Sequence, residues 1–264
     1  MHRDCALSYS IEGSGPPVLL IQGVGVQGAA WKPQVDALSQ RFQCLYFDNR
    51  GMAKSQPVGE KLSIELMAED ARALMDAAGF DSAHVIGHSM GGLIAQELAL
   101  KNPKRVKSLA LLCTFSRGKD VTGLSWKMFW LGLRSNVGPR RMRRHAFLEM
   151  VLPPDLLATC DKDVWGEKLA PLFGHDLADQ PSIAMKQLSA MSRYDATPRL
   201  NELSAIKTLI VNAVHDPIAR PELGRKLHAG IAGSKYVELE RASHGVPIHD
   251  AETINRLLME HLNG

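Results

Sequence analysis

The sequence is poor in cysteine. It has four in 264 residues, at positions 5, 44, 113 and 160, and none forms a CxxC pair. That spacing excludes a zinc ribbon or a thioredoxin-type redox pair. Cys44 and Cys113, set inside apolar runs, read as buried free thiols of a reducing, cytoplasmic environment. Charge of one sign is lacking too: 31 basic against 28 acidic residues leave a net +3, too balanced to argue for nucleic acid as a partner. No apolar run approaches the length of a membrane span, and the first fifteen residues hold no apolar core of signal-peptide length. His2, His84, His145, His175, His215, His228 and His261 are scattered without metal-ligand spacing. QGVGVQGAAW (22–31) does not fit G-x-G-x-x-G with an acidic partner at the right distance. No metal and no cofactor is implied. What remains is the composition of an ordinary globular protein, 45% hydrophobic and 22% charged, with ample length for a sizeable core.

Along the chain, short apolar runs recur between turn residues: PPVLLIQG (16–23), FQCLYFD (42–48), AHVIGH (83–88), VKSLALLCT (106–114) and KTLIVNA (207–213). They lack strict polar alternation, as do strands covered on both faces. KYVELER (235–241) does alternate and reads as a strand nearer the sheet edge. Helical patterns fall between the runs. Ser63 caps one that carries Ile64, Met67, Ala71, Leu74 and Met75 on a single face and stops at Gly79. Leu93 to Lys101 forms a second, ended by Asn102-Pro103, and Ala251 to Leu262 closes the chain. Such alternation predicts an α/β fold with a mostly parallel, doubly wound sheet. Residues 118–203 break the pattern, with no convincing strand but with Trp126, Phe129, Trp130, Met150, Trp165, Phe173, Met185 and Met191. They read as a helical cap placed late in the sheet, over the crevice at the strands' carboxyl ends. Residues 1–117 and 204–264 then form the core.

VIGHSMGG (85–92) places Ser89 between Gly87 and Gly91. Composition alone would supply a G-x-S-x-G match about 0.1 times in such a chain, so its surroundings carry the weight. A strand ends at His88 and a helix begins near Gly91, which makes Ser89 the apex of a strand–turn–helix. A side chain at either flanking glycine would collide with strand or helix. His88 reads as a packed, hydrogen-bonded residue of this turn. Asp48 and Arg50 in FDNRG read as a turn with an internal ion pair.

With GHSMGG go LLIQGVG (19–25), FDNRGMAKS (47–55), VHDP (214–217) and ASHGVP (242–247), in an order and spacing that resemble the α/β-hydrolase fold over nearly the whole chain. The resemblance implies a Ser-His-Asp triad in which Ser89 is the nucleophile, His244 the general base and Asp216 its orienting acid, both partners directly following strands. Asp120 is the rival acid and His249 the decoy histidine. The oxyanion donors implied are the backbone N–H groups of Met90 and, in the loop after the first parallel strand, Val24. The family more often has His-Gly before that loop, and here Gln22-Gly23 stands there. Trp126, Phe129 and Trp130 are expected in the substrate pocket.

The function expected is a serine hydrolase that cleaves a carboxylic ester of a small, largely apolar molecule through an acyl-enzyme. Lactonase, carbon–carbon bond hydrolase, thioesterase and cofactor-free perhydrolase activities share the triad and stay open, as does a hydrolase-like receptor that binds without turnover. A serine at the turn argues against the dehalogenases and epoxide hydrolases of this fold, which attack with a carboxylate. The basic run Arg134, Arg140, Arg141, Arg143 and Arg144 reads as a solvated helix face, with contact to membrane or anionic amphiphiles as the alternative.

Overall fold

The computed structural model describes residues 6–56, 61–122 and 126–263, and the side chains of 122–129 are outside that description. Cys5 and the side chains of Trp126 and Phe129 therefore lie outside the described residues. Among those described, seven strands form one sheet in the order β1-β3-β2-β4-β5-β6-β7. They are β1 (Tyr9–Glu12), β2 (Pro17–Ile21), β3 (Gln43–Phe47), β4 (Ala83–His88), β5 (Val106–Leu112), β6 (Lys207–Ala213) and β7 (Lys235–Leu239). β1 runs antiparallel to β3, and every other pairing is parallel. The central strands are apolar without alternation because helices cover both faces. Val18 to Ile21 and Leu109 to Leu112 are buried along their whole length. β1, YSIE, is exposed along most of its length and has no apolar run to announce it. Its pairing with β3 defines it. β7 lies at the opposite edge, as its alternation predicts.

On the sheet pack α1 (Lys32–Leu38), α2 (Ile64–Ala77) and α3 (Met90–Lys101). Between β5 and β6 come α4 (Lys119–Thr122), α5 (Trp126–Asn136), α6 (Arg140–Val151), α7 (Pro154–Thr159), α8 (Lys162–Phe173) and α9 (Ala184–Ser192). After β6 follow α10 (Pro221–Gly230), α11 (Val246–His249) and α12 (Ala251–Asn263). Ser63 Oγ accepts the Leu66 N–H at 3.2 Å, and Gly79, at φ +71°, ends the α2 segment. α3 starts at Met90, three residues before the expected Leu93. Two glycines in its first turn weaken the local propensity, yet Met90 to Ala99 are all buried, and packing fixes the helix from its first residue.

The chain runs outward from β2 to β3 on one side of the sheet and from β4 to β5 on the other. The carboxyl ends of β2 and β4 thus flank a crevice at the point where the winding reverses, where ligands of open α/β sheets bind. The basic run is solvated at Arg134, Arg140 and Arg141, which are exposed, yet its arginines also find partners. Arg140 and Arg144 pair with Asp176 at 3.0 and 2.6 Å, Arg141 with Asp163 at 2.8 Å and Arg134 with Glu149 at 3.1 Å. Arg143 donates to the Ala178 carbonyl at 2.9 Å. Arg134 ties α5 to α6 and the others tie α6 to α8 and to the segment after it, and Arg144 above all holds the Asp176 carboxyl well below the usual carboxylate range. The FDNRG turn also differs from expectation. Arg50 makes its buried ion pair with Asp70 of α2, while Asp48 accepts the Gly28 N–H at 2.9 Å. The strong cross-link is tertiary, beyond the reach of local spacing.

Candidate active site

Ser89 follows β4 directly and holds φ +54°, ψ −122°, a strained backbone that places its side chain above the sheet rather than along the strand. Neighbours lock that conformation. Its N–H donates to Leu112 O at 3.0 Å, and its carbonyl accepts Thr114 Oγ1 at 2.7 Å. The flanking glycines are required sterically. A Cβ on Gly87 would stand 2.4 Å from Gly91 O, and one on Gly91 would stand 2.1 Å from Ile21 O.

Asp216 lies past β6, 3% exposed. Its Oδ1 accepts the N–H groups of Ile218 and Ala219 at 2.8 and 2.9 Å, and its Oδ2 faces His244 Nδ1 at 2.7 Å. A carboxylate only accepts, so Nδ1 carries the proton and Nε2 of neutral His244 keeps a lone pair. His244 sits in the loop after β7, whose next residue, Gly245, donates its N–H to Val151 O at 2.9 Å. The loop is thereby fastened to α6. His249, the decoy, has instead turned its Nε2 to accept the Ser243 N–H at 3.2 Å. Asp120, the rival acid, lies on α4. The residue directly after β5 is Cys113, held at φ +45°.

His88 donates Nε2–H to the His244 carbonyl at 2.9 Å, with ring centroids 4.9 Å apart. Burial, then the nearby His244, lowers the His88 pKa to about 3, so it is neutral near neutral pH and holds the His244 carbonyl. Sequence spacing carries no sign that His88, Cys113 and His244 meet, with one ligand atom of each within 4.8 Å of the others. Burial, then the Asp216 charge, drives the Cys113 thiol well up, and His88 Nε2 is committed to a carbonyl. That set is poorly suited to a cation, which needs a thiolate and free ring nitrogens.

Ser89, His88 and His244 line one cavity of about 190 Å³ together with Gln22, Gly23 and Val24. Met90, first residue of α3, has no acceptor one turn back, so its N–H is free of intrahelical bonding. Gly23 comes so close that a Cβ there would lie 3.1 Å from Ser89 Cβ. Gln22, in place of the family's usual histidine, is buried with Oε1 toward the Gly23 N–H at 3.3 Å, and its carbonyl accepts Asn49 Nδ2 at 2.8 Å. The remaining wall is mostly apolar, with Gln180 its polar member: Val26 from the loop, Phe147, Met150 and Phe173 from α6 and α8, Leu188 and Met191 from α9. Trp130 does not join it. That side chain is 48% exposed and borders a separate groove with Arg134, His215 and Pro217. The correction has a physical cause: α6, α8 and α9 present their apolar faces to the crevice, and α5 packs outside them on α6. Aromatic content marks the insertion but not the face turned to the cavity.

Two histidines, His261 buried and His88 half-buried, give the fold a pH dependence. His88 is lowered to about 3 and His261 to about 4, in both by burial first. Unfolded, each binds a proton near pH 6.5. Below that value the unfolded chain holds more protons than the folded one, so stability is full above about pH 6.5 and declines as the pH falls toward 4. The urea midpoint is expected to be lower at pH 5 than at pH 7, and His261→Phe to shrink that difference. Equal midpoints at the two values would contradict this.

A sequence model of the alpha/beta hydrolase fold matches residues 16–251. A protein of Azorhizobium caulinodans named as a carbamate hydrolase, RutD, is 30% identical over 97% of this chain and 94% of its own length. The enol-lactonase of Burkholderia xenovorans superposes with a TM-score of 0.80 at 27% identity, covering 98% of this chain and 96% of that one. A meta-cleavage product hydrolase of Pseudomonas fluorescens gives 0.81 at 22%, covering 98% and 94%, a likeness of fold alone.

Proposed function

The chain belongs to the alpha/beta hydrolase fold family, and from that premise we propose that it is a serine hydrolase cleaving a small, largely apolar carboxylic ester through an acyl-enzyme. The observation that carries the reading is the 2.7 Å bond between His244 Nδ1 and Asp216 Oδ2, with His244 and the strained Ser89 on one cavity. His244 Nε2 takes the Ser89 proton as Oγ attacks the carbonyl carbon. Backbone N–H groups of Met90 and Val24 receive the oxyanion, each worth on the order of 3 kcal/mol of barrier. Collapse breaks the bond to the alcohol, which leaves with the proton from His244, and a water activated by the same nitrogen releases the acid.

The ester assignment rests on the wall. A cavity of about 190 Å³ lined mainly by apolar residues is a little larger than the roughly 150 Å³ known to hold benzene. It suits an aromatic or short branched acyl group better than a small polar one. Residues 118–203 act in this reading as the lid that excludes water from that group. A carbamate is the second reading, favoured by the name of the 30% identical relative, and the same attack on its carbonyl would serve. The test is a matched panel of aryl esters, aryl carbamates and lactones, with labelling by a serine-reactive phosphonate. Turnover is expected to be fastest on apolar esters, with the label on Ser89 and absent from Ser89→Ala. Preference for carbamates would transfer the assignment to them. No turnover and no label would sink the hydrolase reading in favour of a receptor.

A further inference from the structure

The loop that carries Val24 is held from outside the sheet. Its next residue, Gly25, has both backbone polar groups taken by side chains of the insertion: the N–H donates to Gln187 Oε1 at 2.8 Å, and the carbonyl accepts His175 Nε2 at 3.0 Å. Gly25 sits at φ +69°, and the place of its missing side chain lies against Pro181 at 3.6 Å and Ala184 at 3.7 Å. Gln187 is fully buried on α9, whose Leu188 and Met191 line the cavity. Its Nε2 has no hydrogen-bond partner among the described residues. A buried amide with one end unsatisfied is poorer than an apolar side chain of similar size, unless its other end does something an apolar side chain cannot. Here that other end fixes the backbone one residue past the oxyanion donor.

We propose that Gln187 is a positioning residue for the oxyanion loop, and that through it the docking of α9 is a condition for acyl transfer. The Gly25 N–H fixes the rotation of the Val24 backbone, and His175 fixes the peptide that follows. Together they hold the Val24 N–H where the oxyanion forms. When α9 lifts, the loop loses the Gln187 bond and keeps only that of His175, which lies between α8 and α9, so the cavity opens and the transition-state donor loses a restraint in one movement. This rests on the serine-hydrolase reading above, in which the Val24 N–H meets the oxyanion.

The experiment compares wild type with Gln187→Leu, which removes the acceptor, and Gln187→Glu, which keeps an oxygen in the same place. All are assayed on an activated aryl ester and checked for folding by circular dichroism. An oxyanion donor acts in the transition state, so kcat of Gln187→Leu is expected to fall about tenfold or more with KM within about twofold, and Gln187→Glu to recover most of it. Should Gln187→Leu fail to fold, His175→Leu, on the other side of Gly25, is read in the same way. The assignment is overturned by unchanged kcat, by a loss confined to KM, or by Gln187→Glu no better than Gln187→Leu. A wild type inert toward esters and unlabelled at Ser89 sinks the serine-hydrolase reading instead, so the two failures are distinct.

Discussion

Asp216→Asn is expected to lower kcat on an activated ester by roughly 10⁴-fold while leaving the protein folded. The bonding around the carboxyl sets the size of the loss. Oδ1 accepts two backbone N–H groups, from Ile218 and Ala219, and Oδ2 receives the His244 Nδ1–H. In the variant the amide oxygen must serve the two backbone donors, because an NH₂ group there would meet N–H against N–H. The amide nitrogen then faces His244 and donates to Nδ1, which drives the ring proton to Nε2. With its proton on Nε2, His244 has no lone pair for the Ser89 hydroxyl. Asp120→Asn is the control, expected to stay within about twofold of wild type, because Asp120 lies on α4. Steady-state kinetics on both variants decide the matter. The reverse pattern, Asp216→Asn active and Asp120→Asn dead, would move the acid to Asp120.

Gly91→Ala should lower the melting temperature by roughly 10 °C. The added Cβ would stand 2.1 Å from Ile21 O, 2.7 Å from Ile21 C and 2.8 Å from Gln22 O. All three are backbone atoms where β2 meets the Gln22–Gly25 loop, so no side chain can rotate away. α3 must shift from the sheet or the loop must move. Such overpacking costs about 3 kcal/mol, and in a chain of this size each kcal/mol is about 2–4 °C. Because the displaced atoms lead into the loop beside Ser89, activity should fall with stability. Gly132→Ala provides the contrast. A Cβ there has nothing within 4 Å, inside helix α5, and the exchange should leave the melting temperature unchanged or raise it slightly. Thermal melts of the two variants check the pair, and a fall of less than about 2 °C for Gly91→Ala would refute the steric account.

Much of the architecture is legible in the residues alone. The apolar runs mark β2 to β6 with small boundary errors, because a strand covered on both faces has no other composition available to it. Ser63 and Gly79 mark the limits of α2 through capping chemistry that local sequence encodes. What the residues conceal is long-range. β1 escapes notice because an exposed edge strand has no apolar signature, only a partner. Spacing suggests a local ion pair for Arg50 because it shows neighbours along the chain, whereas Asp70 reaches Arg50 through the packing of α2. The arginines of α6 read as a solvated face in sequence, and Arg140 and Arg141 are exposed, but only the fold shows that Asp163, Asp176 and Asp179 come round from α8 and beyond to meet them. Aromatic content points Trp130 to the pocket, and rotation of α5 about its axis, set by its packing on α6, turns it elsewhere.

The α/β alternation, the strand–turn–helix at Ser89 and its steric need for glycine follow from local sequence, because each depends on residues a few positions apart. Tertiary packing alone brings Asp216 and His244 to 2.7 Å, carries Gln187 across 162 positions to Gly25, and selects the faces of α6, α8 and α9 that form the wall. Those contacts join groups far apart in the chain, and their geometry follows from the twist of the sheet and the docking of helices upon it. No local pattern of residue types records that geometry.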